Sequence, residues 1–121
     1  MTKINKRIAV VEEKIINKIY LVRDKKVMLD LELADMYAVE TRQLKRQVRR
    51  NIKRFPDDFM FILTAKEYQS LRSQIGTLKR GEHGKYAPMA FTEQGVAMLS
   101  SVLNSPTAIQ VNIQIIRVLP G

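Results

Sequence analysis

The sequence predicts a single α+β domain with a helix-turn-helix-like core and small antiparallel β-hairpins, winged-helix-like in arrangement. Three observations support that expectation. Branched apolar residues at 15–21 and 27–29 flank the polar run Arg23-Asp24-Lys25-Lys26, the pattern of a β-hairpin. Two helical stretches with separate start signals follow, divided by Ala38-Val39-Glu40 alone. A later stretch, 74–91, contains Gly76, Gly81, Gly84 and Pro88, and its two arms, 74–78 and 86–91, can pair around 79–85, so that it reads as a wing. At 121 residues the chain is long enough for one core. Residues 1–14 read as an N-terminal extension and 15–121 as the domain.

In chain order, a helix over 8–19 competes with the first strand, because the same apolar spacing satisfies both. Asp30 is placed to cap a short helix whose buried stripe is Leu31, Leu33, Ala34 and Tyr37. With Glu40 as the next cap residue, Val39 and Leu44 have the spacing of a hydrophobic staple. The second helix then runs from Thr41 to about Phe55, where Pro56 stops it. Residues 59–63 read as a buried strand, and Thr64-x-x-Glu67 as a capping box opening another helix. Thr92 caps a helix with Ala97, Met98, Leu99 and Val102 as its apolar face. Ser105-Pro106 opens a last helix, lined on one side by Ile109, Ile113 and Ile116.

Composition narrows the function. Lys plus Arg number 21 against 12 acids, a formal net charge of +9, and such a field attracts polyanions. The absence of cysteine removes disulfides, thiolate nucleophiles and iron–sulfur clusters together, along with the common structural zinc sites. The apolar run at 8–11 is too short for a signal-peptide core. That at 59–63 falls far below a membrane span, so a soluble cytoplasmic protein without membrane contact is expected.

The second helix concentrates the charge. Arg42, Lys45, Arg46, Arg49, Arg50, Lys53 and Arg54 stand together with no acid among them, a third of the chain's 21 basic residues. At about 100° per residue, Leu44, Val48, Ile52 and Phe55 form a buried face, and Arg42, Arg46, Arg49 and Lys53 gather opposite. Like charges three or four residues apart destabilise a helix by a few tenths of a kcal/mol per pair, so solvated faces usually mix signs. This face does not, and a polyanion would relieve its repulsion. A short helix, a tight turn and a basic helix make a helix-turn-helix whose second helix enters a DNA major groove. Thr41, Arg42, Lys45 and Arg46 are expected to face the bases, and Arg49, Arg50 and Lys53 the phosphates. Gln43 and Gln47 could read adenine, but they lie to one side, where packing on a neighbouring element explains them equally well.

Lys79, Arg80 and Lys85, with His83, form a second basic cluster in the glycine-rich stretch, where Glu82 is the sole acid. Such a loop can follow a phosphate backbone or reach a minor groove, although glycine-rich loops are also common without either role. His83 is the single histidine and has no cysteine or second histidine to complete a metal site. Asp57 and Asp58 are adjacent and fit turn chemistry after Pro56. No catalytic constellation, metal or cofactor is expected.

Five segments in order, Val27 to Tyr37 (VMLDLELADMY), Val39 to Leu44 (VETRQL), Val48 to Phe61 (VRRNIKRFPDDFMF), Ala90 to Leu99 (AFTEQGVAML) and Ala108 to Asn112 (AIQVN), resemble the ORF6N domain, a relative of the KilA-N and Bro-N domains of phages and large DNA viruses. The resemblance implies an α+β DNA-binding domain of the kind found at the N-terminus of phage or prophage antirepressor-like regulators. A separate C-terminal region usually follows in such proteins, so its loss after Gly121 is expected. Ala38 and Asp24 stand where the family often has glycine.

The expected function is therefore a sequence-specific double-stranded-DNA-binding module of a phage-type transcriptional regulator, not an enzyme. The alternative is a protein-interaction module that docks an acidic partner, such as a repressor, through the same basic face. Single-strand or RNA binding is the weaker rival, because it relies on stacked aromatics and Phe55, Phe59, Phe61 and Phe91 sit at core positions. A nuclease lacks the paired acids it would need.

Overall fold

Four short strands build the centre of the molecule, which is seen in a computed structural model that describes residues 12–75 and 87–120. The strands β1 (Tyr20–Val22), β2 (Lys25–Leu29), β3 (Met60–Ile62) and β4 (Met89–Phe91) form one antiparallel sheet in the order β1-β2-β4-β3. Side chains alternate between faces. Met28, Met60, Met89 and Phe91 join one hydrophobic cluster, while Val27, Leu29, Phe61 and Ala90 join the other.

Helix α1, described over residues 12–16, precedes the sheet. Helix α4 (Ala65–Ile75) covers the second cluster through Tyr68 and Leu71. The first cluster is closed by α2 (Asp30–Tyr37), α3 (Thr41–Arg50), α5 (Glu93–Leu103) and α6 (Pro106–Val118). These four pack in a ring, α2 on α3, α3 on α5, α5 on α6 and α6 on α2, which puts α3 and α6 diagonally opposite. Among the described residues no helix is long and apolar enough to cross a membrane.

The helix starts follow their local signals. Thr64 and Glu67 close the capping box reciprocally, at 2.9 and 3.1 Å. Thr92 Oγ1 accepts from Gly95 N, and Ser105 Oγ from Ala108 N. Glu40 occupies the N-cap of α3 but makes no side-chain capping bond.

Five expectations are corrected. Residues 12–16 are helical and the first strand begins at Tyr20, so the helical alternative takes the start of 15–21. Asp30 is the first residue of α2 and not its cap; it is buried, for a reason given below. Helix α3 ends at Arg50, because the Asn51 amide donates to the Gln47 carbonyl at 2.8 Å and the chain tightens into a 3₁₀ turn, Ile52–Arg54. That tightening turns Ile52 outward to 51% exposure while Phe55 stays buried. The proposed second hairpin does not form as drawn: Gln74 belongs to α4, and β4 is held on both edges by β2 and β3. Residues 76–86 lie outside the described residues.

The fifth correction concerns the last two helices. The buried stripe of α6 is Ala108, Asn112, Ile115 and Leu119, and Ile109 and Ile113 are exposed. Ala97 of α5 is likewise exposed, with Val96 buried in its place, while Leu99 is buried as expected. Asn112 is accommodated because both ends of its amide are used: Oδ1 accepts from the Tyr37 hydroxyl and Nδ2 donates to Val96 O. Burial pushes the Tyr37 hydroxyl pKa up, so it stays a donor.

Among the described residues four non-glycine positions, Arg23, Asp24, Ala38 and Asn104, carry backbone that favours glycine. Arg23 and Asp24, with φ of 53° and 61°, are the whole loop of the first hairpin, a type I′ signature. Ala38 has φ 60°, and its neighbours close a Schellman motif, Val39 N to Ala34 O and Ala38 N to Asp35 O. A Cβ in the left-handed region costs about 1–2 kcal/mol. Ala38→Gly is therefore expected to raise stability by about 1 kcal/mol, checked by thermal unfolding; a lower melting temperature would contradict the αL assignment.

Arg23 also fastens the hairpin to α4. Its guanidinium donates twice to Glu67, at 2.8 and 2.9 Å, and lies 4.3 Å from the Phe61 ring centroid. Those bonds hold the Glu67 carboxyl at about 2, from an ordinary 4.5. A carboxyl depressed in the folded state adds stability above its unfolded pKa and loses it as pH falls toward the folded one. Wild type should accordingly lose stability between about pH 4.5 and 2, and Arg23→Ala should flatten that part of the profile in urea titrations.

Candidate nucleic-acid interface

The inner face of α3 is fixed by Leu44 and Val48, both fully buried in the first cluster. That anchoring turns Arg42, Gln43, Arg46, Arg49 and Arg50 to the exposed side, followed by Lys53 and Arg54 in the 3₁₀ turn. Thr41 and Gln47 are half-buried. The first turn of α3 holds no acid and its last turn holds Arg49 and Arg50, so the dipole favours cations at one end only. Arg42 pairs with Glu40 at 3.1 Å, but both side chains are exposed, and such pairs contribute little in water. Among the described residues, neither Arg46 nor Arg50 has an ion pair with a carboxylate.

Lys45 is not part of this outward set. It is 7% exposed, and its Nζ donates 2.9 Å to Ala87 O and sits 3.3 Å from Asp30 Oδ2. Asp30, 1% exposed, also accepts from Met89 N through Oδ2 and from Leu31 N through Oδ1. Burial pushes the Asp30 carboxyl up, while the Met89 hydrogen bond and the Lys45 charge pull it down. One buried ion pair thus ties α2, α3 and the lead into β4 together. On the helical wheel Lys45 stands about 60° from Val48, on the inner flank, which is why it cannot face the bases as expected.

The opposite flank of α3 borders a groove of about 310 Å3 shared with the α5–α6 junction, where Gln43, Arg46, Gln47 and Arg50 face Leu103 and Ser105. Both glutamines therefore line a surface groove that wheel geometry alone did not reveal. A second groove, between the first hairpin and the start of α5, mixes Lys25 and Lys26 with Asp58 and Glu93. Lys79, Arg80, His83 and Lys85 lie outside the described residues. Among the described residues no group of three or more His, Cys, Asp or Glu side chains could hold a metal ion.

Comparison with curated proteins and with solved structures gives no match. The ORF6N domain family model matches residues 17–102, which take in the sheet, α2, α3, α4 and nearly all of α5. The turn between α2 and α3 and the basic helix described above fall inside that span, α6 lies beyond it, and the chain belongs to the ORF6N domain family.

Proposed function

We propose that this ORF6N domain is a sequence-specific double-stranded-DNA-binding module of a phage- or prophage-type regulator, with no catalytic step of its own. The supporting observation is the outward ridge of α3, where Arg42, Arg46, Arg49 and Arg50 share one exposed face with no acid from their own helix. Thr41, Arg42 and Arg46 are the base-facing candidates in this reading, and Arg49, Arg50 and Lys53 the phosphate contacts. Lys79, Arg80 and Lys85 of the glycine-rich stretch would add backbone contacts.

Duplex titration across a range of salt concentrations tests it. Four to six phosphate contacts correspond to a slope of log affinity on log salt of around −4 to −5. Arg46→Ala with Arg50→Ala should weaken binding about 100-fold and reduce the slope by about 1, the share of the phosphate-contacting Arg50, with the unfolding midpoint unchanged because both side chains are exposed. A slope near zero removes the proposal. Retention of an acidic protein from DNase-treated extract, without duplex binding, would favour a protein-docking role for the same ridge.

A further inference from the structure

We propose that the groove between α3 and the α5–α6 junction seats one sugar–phosphate backbone of the duplex, making Gln43, Gln47 and Ser105 part of the binding surface beside Arg46 and Arg50. The inference rests on the duplex reading and adds to it a second wall that does not come from α3. The lining fits that occupant chemically. Its apolar lining from Val39 and Leu103, both half-buried, suits deoxyribose carbons. Arg50 supplies a guanidinium for phosphate oxygens one turn from base-facing Arg46, and two carboxamides and a hydroxyl supply neutral hydrogen-bonding groups.

Among the described residues no carboxylate lines this groove. The groove beside the hairpin sets Asp58 and Glu93 against Lys25 and Lys26, so its charges offset and it favours a phosphate less. The one between α5 and α6 is lined mainly by Ala97, Ile109, Ile113 and Ile116 and, among the described residues, offers a single cation, Arg117. Position agrees with chemistry, since the favoured groove opens directly beside the outward ridge of α3. A duplex laid on that ridge brings a backbone within reach of the α5–α6 junction.

Ser105→Asp tests the assignment without disturbing the fold. Ser105 is the N-cap of α6 and accepts from Ala108 N at 3.1 Å; aspartate caps as well as serine and favours the helix dipole. Its charge would nevertheless point into the groove. The control is Gln69→Glu, an equal change in net charge on exposed α4, across the sheet from α3. The probe is a random-sequence 30-base-pair duplex pool.

The expected result is that Ser105→Asp melts no lower than wild type yet binds at least about tenfold more weakly than Gln69→Glu. Gln43→Glu, on the α3 side of the same groove, should behave likewise. Equal affinities for all three variants overturn the groove while leaving the basic ridge standing. Wild type that shows no salt-dependent duplex binding overturns the duplex reading and the groove with it.

Discussion

Gly95→Ala is expected to lose at least about 3 kcal/mol of folding stability, a large part of the 5–15 kcal/mol that holds a typical domain. Helix propensity alone gives the opposite sign, since alanine inside a helix is favoured over glycine by about 1 kcal/mol. Close backbone packing decides the outcome. A Cβ at Gly95 would stand 1.9 Å from the Phe59 carbonyl oxygen and 2.9 Å from its carbon. That carbonyl cannot easily withdraw, because it accepts from Thr92 N at 3.0 Å and from Thr92 Oγ1 at 3.2 Å. Thr92 Oγ1 is in turn shared with Asp58 O and Gly95 N. Relief of the clash therefore pulls apart the start of α5 and the lead into β3 together. The check is a urea titration: a midpoint at or above wild type would show that the two backbones do not approach this closely.

That reversal shows where sequence legibility stops. The caps at Thr64, Thr92 and Ser105 were readable because a cap needs a single turn of chain, and each forms its bond. The positive charge of α3 was readable for the same reason. Burial of α6 was not, because two stripes compete there: three isoleucines mark the exposed one, while the buried one contains Asn112, whose partners Tyr37 and Val96 lie on other helices. Pairing of Met28 with Phe91 places β4 between β2 and β3; no local pattern specifies a contact across that separation. The site shows the same division. Its cationic ridge is a property of one helix, whereas the wall opposite Gln43 and Gln47 comes from the α5–α6 junction.

Lys45→Met should destabilise the domain by about 3–5 kcal/mol at neutral pH, far more than any exposed arginine of the same helix. Shape is nearly conserved in this exchange, so the cost lies in leaving Asp30 buried without its counter-charge. Two further results separate this from simple loss of packing. Burial already raises the Asp30 carboxyl, and removal of Lys45 takes away one of the influences that lower it. A carboxyl whose folded pKa is raised contributes stability below its unfolded pKa and loses it as pH rises through the folded one. The variant should therefore recover part of its deficit as pH falls toward about 4, before general acid unfolding begins. Adding Asp30→Asn should also restore part of the loss at pH 7, since the second change removes the stranded charge. A deficit independent of pH, with fully additive effects in the double variant, would mean that Lys45 stabilises the fold through its hydrocarbon stem and not through the ion pair.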